Sequence, residues 1–143
     1  MQIIGRKDRI DFPEFGLANI KAKIDTGAFG CALHCHHIEI VSIDNKRVLK
    51  FKVLDPEHTE YEDQVFSSEQ FSDKLVKNSG GKAEHRYTIK TLISIFGQNI
   101  MVEFSLTNRK SMKYPVLIGR KFLSKKFLVD VQQKDLSYQL KIK

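Results

Sequence analysis

Lys23-Ile24-Asp25-Thr26-Gly27-Ala28 places an aspartate directly after an alternating stretch, Ala18 to Ile24, and follows it with Thr-Gly. That order predicts a carboxylate at the start of a tight loop, where backbone amides and the threonine hydroxyl can hold it. Ala32-Leu33 then resumes the extended pattern. The second deciding stretch lies far downstream: Tyr114-Pro115-Val116-Leu117-Ile118-Gly119-Arg120-Lys121-Phe122-Leu123. Three apolar residues, then Gly-Arg, then a short helix over Arg120 to Lys126, describe a buried strand that turns into a helix. The glycine there lets another backbone approach closely.

Outward from these two stretches, alternation is easier to find than helical spacing. His36 to Ile43 and Arg47 to Leu54 flank Asp44-Asn45-Lys46 and predict one hairpin. Leu92 to Phe96 and Ile100 to Leu106 flank Gly97-Gln98-Asn99 and predict another. Leu136, Tyr138, Leu140 and Ile142 alternate with polar residues, which predicts a C-terminal strand. It would pair with Phe127 to Val131 across a turn at Gln133-Lys134-Asp135. Short strands joined by tight turns make an all-β barrel or sandwich, with the helix after Gly119 as its one helical piece. Residues 1–143 read as a single domain carrying a polar insertion at about 55–84, which ends in Asn78-Ser79-Gly80-Gly81. Glycines at a hairpin tip suit a lid over a rigid sheet, and equally a solvated excursion without a role.

With 41% apolar and 29% charged residues, the 143-residue chain has the composition of a folded domain. No apolar run approaches the roughly 20 residues of a membrane span. Charges interrupt the N-terminus where a signal peptide needs its apolar core, and two cysteines, Cys31 and Cys35, suit a reducing compartment. The expectation is a cytoplasmic protein without membrane contact. Net charge is +7, yet residues 55 to 84 hold eight acids against three lysines, so the remainder stands at +12. Such a surface is open to an acidic partner.

Asp25-Thr26-Gly27-Ala28 together with Val116-Leu117-Ile118-Gly119-Arg120 resembles the retropepsin-like aspartic proteases. A resemblance spanning nearly the whole chain links it to bacterial proteins catalogued as ATP-dependent zinc proteases. It is carried by Ile4-Gly5-Arg6, Lys21 to Ala28, Ala32-Leu33-His34, Ser105 to Arg109, Met112, Tyr114-Pro115 and Phe127 to Asp130. The resemblance implies a closed acid-protease barrel with one short helix near the C-terminus. It also implies an endopeptidase in which Asp25 is catalytic, with Thr26 and Gly27 building its loop and Gly119 and Arg120 supporting it. With one Asp-Thr-Gly per chain, the active form would be a homodimer cleaving a peptide or protein substrate. Ala28, His34 and the tip Ser79-Gly80-Gly81 would meet that substrate. Such genes are often associated with ATP-dependent enzymes that ligate glutamate, which points to acidic peptides. Retroviral members carry an aspartate directly after Asp-Thr-Gly-Ala to pair with the Gly-Arg arginine. Here Phe29 stands in that place, so Arg120 needs another partner. The alternatives are a non-catalytic peptide-binding module on the same fold and a zinc peptidase.

The zinc and ATP of that label find little in the residues. In Cys31-Ala32-Leu33-His34-Cys35-His36-His37, strand alternation would turn Cys31, Cys35 and His37 one way and His34 and His36 the other. His34 and His36 are the metal candidates, but there is no His-Glu-x-x-His helix and no Cys-x-x-Cys pair. Zinc therefore stays a minor alternative, and no cofactor is expected. Gly80-Gly81-Lys82-Ala83 lacks the upstream glycine and the Ser/Thr of a phosphate-binding loop. Arg109, Lys110, Lys113, Lys121, Lys125 and Lys126 could touch phosphates, but without a recognition helix the chain is not expected to bind nucleic acid.

Overall fold

A computed structural model describes residues 1–77, 80–109 and 112–143. Along the chain run β1 (Gln2–Ile4), β2 (Lys7–Phe12), a 3-10 turn (Pro13–Phe15), β3 (Leu17–Ile24), β4 (Cys31–Ile43) and β5 (Lys46–Val53). Then come β6 (Phe66–Ser68), β7 (Ser72–Lys77), β8 (Ala83–Ile95), β9 (Gln98–Thr107), β10 (Val116–Ile118), α1 (Arg120–Leu123), β11 (Phe127–Val129) and α2 (Leu136–Lys141).

Six strands close into a barrel in the order β3, β2, β8, β9, β4, β10 and back to β3. The retropepsin-like closed barrel expected from the sequence is therefore the fold observed. Its wall is mostly antiparallel, but β4 runs parallel to β9 and β10 parallel to β3. The short β10 is the piece that closes it, antiparallel to β4 on its other side. Both expected hairpins form. Asp44 and Asn45 turn the first with φ of 52° and 65°, as a two-residue hairpin turn that follows strand twist requires. Phe96 and Gly97 turn the second with φ of 48° and 72°. Inside the barrel, alternate residues of these strands (Ile10, Phe12, Ile20, Leu33, Ile93 and Phe104) are fully buried, and the Phe12 and Phe104 rings lie 5.5 Å apart.

Two expectations need correction. The insertion is only partly a loop, since β6 adds to β5 and β7 forms a hairpin with the start of β8. Gly80 and Gly81 lie at the tip of that second hairpin, exposed, with Gly81 at φ 81°; Ser79, with Asn78, lies outside the described residues. The C-terminal strand is absent too: residues 136–141 are helical, and β11 pairs with β1 in parallel. The cause is a long-range cap. Buried Asp8 accepts hydrogen bonds from the Ser137 and Tyr138 amides at 2.9 and 3.1 Å, meeting two of the N–H groups a helix start leaves unpaired. Ser137 is then the buried residue, its hydroxyl accepting the Phe96 amide, while Leu140 and Ile142 stay exposed. Consequently α2 adds a second helix to the one expected.

Candidate active site

At the end of β3 the chain leaves the barrel wall and turns. The Asp25 amide donates to the Ile118 carbonyl of β10 at 2.8 Å, which ties the start of the loop to the closing strand. The Gly27 amide donates to Asp25 Oδ1 at 3.0 Å, and the Ala28 amide to the Asp25 carbonyl at 3.2 Å. Asp25 is half-buried, while Thr26, Gly27, Phe29 and Gly30 are exposed. The carboxylate thus stands in a rigid turn on an open face.

The Gly-Arg corner lies directly beneath. Gly119 has carbonyls packed against the place a side chain would occupy: a Cβ there would stand 2.2 Å from the Gly30 oxygen and 2.8 Å from those of Ala28 and Phe29. Only glycine permits that approach. It also lets α1 engage the loop, the Arg120 and Lys121 amides donating to the Ala28 and Phe29 carbonyls at 2.9 and 2.8 Å. Arg120 meets its need for a partner without a carboxylate. Its guanidinium donates to the Thr26 carbonyl at 3.0 Å and lies 6.0 Å from the centre of the Phe29 ring. The structure therefore brings Asp25, Thr26, Gly27, Ala28, Gly119 and Arg120 together, from two segments about 90 residues apart.

His34 is placed differently. It is fully buried, so it is no exposed cleft side chain. Its Nδ1 accepts the Arg109 amide at 2.8 Å, which puts the ring proton on Nε2, and Nε2 faces Asp55 Oδ2 at 2.5 Å. Asp55 Oδ1 accepts the Glu57 amide at 2.8 Å, and His58 Nε2 lies 3.9 Å from Oδ2. Burial pushes the Asp55 carboxyl up, but the His34 hydrogen bond, the Glu57 amide and the nearby histidines more than offset it, leaving the group below its ordinary value. Sequence reasoning missed this pair. His34 and Asp55 are 21 residues apart, and no spacing rule joins a strand histidine to an aspartate in an irregular segment.

Among the described residues, His34, Asp55 and His58 are the only such cluster with ligand atoms close enough to share a metal ion. The donor chemistry does not fit one. To bind a metal through Nε2, His34 would have to give up the Arg109 amide at Nδ1 or become an anion, whereas a metal-bound histidine ordinarily donates from its other nitrogen. His36, the other metal candidate, has its Nδ1 2.5 Å from the Leu54 carbonyl. His37 does not join Cys31 and Cys35 on one face: a register shift after His36 and a φ of 51° at His37 turn it to solvent. The basic residues are partly engaged too. Lys121 lies 3.5 Å from Glu103, Lys113 and Lys126 lie over the Tyr114 and Phe122 rings, and Lys110 is outside the described residues. No helix among the described residues is long and apolar enough to cross a membrane.

Comparison with known proteins agrees with this fold. The family described as "RimB-like: Retropepsin-like aspartic endopeptidase RimB" matches residues 3–139. Proteins named "Probable alpha-L-glutamate ligase" from Shewanella pealeana and Shewanella halifaxensis are each 33% identical over 128 residues. One of the same name from Desulfotalea psychrophila is 30% identical over 130 residues. Each match covers 90% of this chain but 28% of the relative, so the chain spans under a third of the relatives' length. A crystal structure of a Legionella pneumophila protein of unknown function (DUF785) superposes with a TM-score of 0.74 at 23% identity. It covers 95% of this chain and 98% of that one, a likeness of fold.

Proposed function

The chain belongs to the RimB-like family of retropepsin-like aspartic endopeptidases, and from that premise we propose that it forms half of an aspartic peptidase site. A second copy supplies the other half. The observation that carries this reading is the Asp25 carboxylate, held by the Gly27 amide of its own loop on an exposed face. A hydrolytic site of this kind needs two carboxylates, and a two-fold axis beside the loop supplies the second as Asp25 of the other copy.

The chemistry then follows from proximity. Two carboxylates a few ångströms apart cannot both ionise cheaply, so they share one proton. The ionised one takes a proton from a bound water, which attacks the peptide carbonyl, while the protonated one donates to the carbonyl oxygen. Collapse of the tetrahedral intermediate breaks the C–N bond as the carboxyl that took the water's proton passes it to the leaving nitrogen, and the intermediate's hydroxyl returns its proton to the other carboxylate. No step needs a metal. The Gly27 amide keeps the carboxylate in place, and Gly119 with Arg120, which donates to the Thr26 carbonyl, braces the loop from below. The β7–β8 hairpin, with its glycine tip, is the segment suited to cover a bound peptide, and the cytoplasm suits the two free thiols.

For the substrate we propose acidic peptides containing glutamate. The relatives' name describes joining glutamate, and the net charge of +7 favours an anionic partner. The test is cleavage of a peptide library that includes glutamate-rich sequences, from pH 4 to pH 7, by wild type and Asp25→Asn, each with and without a strong chelator. The expected result is a bell-shaped pH dependence that survives the chelator and vanishes in Asp25→Asn. Cleavage that survives Asp25→Asn but dies with the chelator refutes the reading and restores a zinc peptidase. Binding without cleavage leaves a peptide-binding module.

A further inference from the structure

We propose that Arg109 is the residue that recognises an acidic side chain of the substrate, held in position beside Asp25 by the buried His34–Asp55 pair. This rests on the peptidase reading only in taking Asp25 as the reacting group.

Three anchors fix the residue. Its amide donates to His34 Nδ1 at 2.8 Å, and His34 is itself locked by Asp55 at 2.5 Å, with both side chains almost completely buried. Its Nε donates to the Tyr114 carbonyl at 3.2 Å, and its own carbonyl accepts the Met112 amide at 2.8 Å. Arg109 follows β9, whose Thr107 lies opposite His34 on β4, and β10 lies between β4 and β3, the strand that runs into the Asp25 loop. A buried histidine–aspartate pair that ends on a backbone amide has one evident effect: it fixes where that backbone lies.

The charge of Arg109 is left without a resident counter-ion. Its side chain is half-buried, yet among the described residues no carboxylate comes within 4 Å of it, whereas Lys121, Lys141 and Arg47 all have one. Burial pushes the guanidinium down from its ordinary value, and the one charge that pulls it back is that of Asp25. A cation that has lost part of its water and gained no ion pair is costly unless an anion arrives. A guanidinium is also the group best shaped to take a carboxylate through two hydrogen bonds. Two residues upstream, Thr107 Oγ1 is buried and unpartnered among the described residues, so the same strand end holds another polar atom in want of a partner.

The test uses binding without turnover. A fluorescein-labelled hexaglutamate and the matching hexaglutamine are titrated by anisotropy against the full chain carrying Asp25→Asn, at 0.15 M salt. The additional variants are Arg109→Gln, Arg109→Lys and, as an equal loss of charge, Lys46→Gln at the exposed β4–β5 turn. The parent is expected to prefer the acidic peptide at least tenfold. Arg109→Gln abolishes that preference, Arg109→Lys keeps part of it, and Lys46→Gln keeps all of it. A merely structural role weakens both peptides together and leaves the ratio standing, which overturns the proposal. So does an equal drop in Lys46→Gln, because net charge then explains the preference. A preference that depends on Arg109 in a chain whose wild type cleaves nothing sustains the proposal and removes the peptidase reading. Cleavage of acidic peptides with a preference indifferent to Arg109 does the reverse.

Discussion

Gly119→Ala tests whether the Asp25 loop is held as described. The added Cβ would stand 2.2 Å from the Gly30 oxygen and 2.8 Å from two further carbonyl oxygens, all backbone atoms. No side-chain rotation relieves such contacts, so the loop must separate from α1. That movement breaks the hydrogen bonds from the Arg120 and Lys121 amides to the Ala28 and Phe29 carbonyls. Overpacking a well-packed site costs about 1–3 kcal/mol, and backbone on every side puts this case at the upper end, about 3 kcal/mol. For a chain of this length the entropy of unfolding is roughly 0.3 kcal/mol/K, so the midpoint should fall by about 10 °C. Thermal unfolding at one fixed protein concentration measures it, since association shifts the midpoint by mass action. Gly30→Ala is the control, because a Cβ there meets nothing within 4 Å and the backbone is not left-handed. A Gly119→Ala midpoint within 2 °C of wild type refutes the packing argument.

Two further outcomes follow from the buried polar groups. Asp55 titrates below its unfolded value of about 3.9, so its charge contributes stability above that pH and loses it as pH falls through the folded value. The stability gap between wild type and Asp55→Asn, from urea unfolding, should be full at pH 6 and shrink below pH 4; a constant gap contradicts the His34–Asp55 assignment. Burial pushes both thiols up, Cys35 fully and Cys31 despite the Gly119 amide and Lys121. A thiol reagent should therefore find no fast-reacting cysteine in the native chain and two after denaturation, and rapid native reaction contradicts the burial.

The elements legible in the sequence were those whose cause is local. Lys23 to Ala28 and Val116 to Arg120 carry their strand endings, their glycines and their apolar runs within ten residues, and the barrel closes where they meet. The hairpins at Asp44-Asn45 and Phe96-Gly97 likewise carry their turn chemistry with them. The C-terminus misleads because Leu136, Tyr138, Leu140 and Ile142 satisfy a period of two while 136/140 and 138/142 also satisfy a helical repeat. Asp8, about 130 residues away, decides between them by capping the helix. What the sequence hid, for the same reason, was the link among His34, Asp55 and Arg109: His34 and Arg109 stand out singly, and only the closure of β4 against β9 and β10 joins the three. Elements fixed by tertiary partners are the part a single sequence conceals.

Phe29 supplies the sharpest consequence of the proposed pairing of two copies. It follows the Asp25 loop, is 63% exposed, and has its ring beneath the Arg120 guanidinium. An ion pair with Arg120 at this place would leave the contact between copies sensitive to salt. An aromatic ring instead contributes area. Burying a phenylalanine side chain is worth about 1.5–3 kcal/mol, and with 63% of its surface still open, about 1–2 kcal/mol remains for each copy. By two-fold symmetry both rings count, so Phe29→Ser should weaken association by about 2–4 kcal/mol, a factor of roughly 30 to 1,000 in Kd. Because apolar burial is not screened, the wild-type Kd should change little between 0.05 and 0.5 M sodium chloride. Sedimentation equilibrium measures both. A Kd that rises steeply with salt and ignores Phe29→Ser would mean that charged groups elsewhere hold the copies together, and the Asp25 loops would then have no reason to meet.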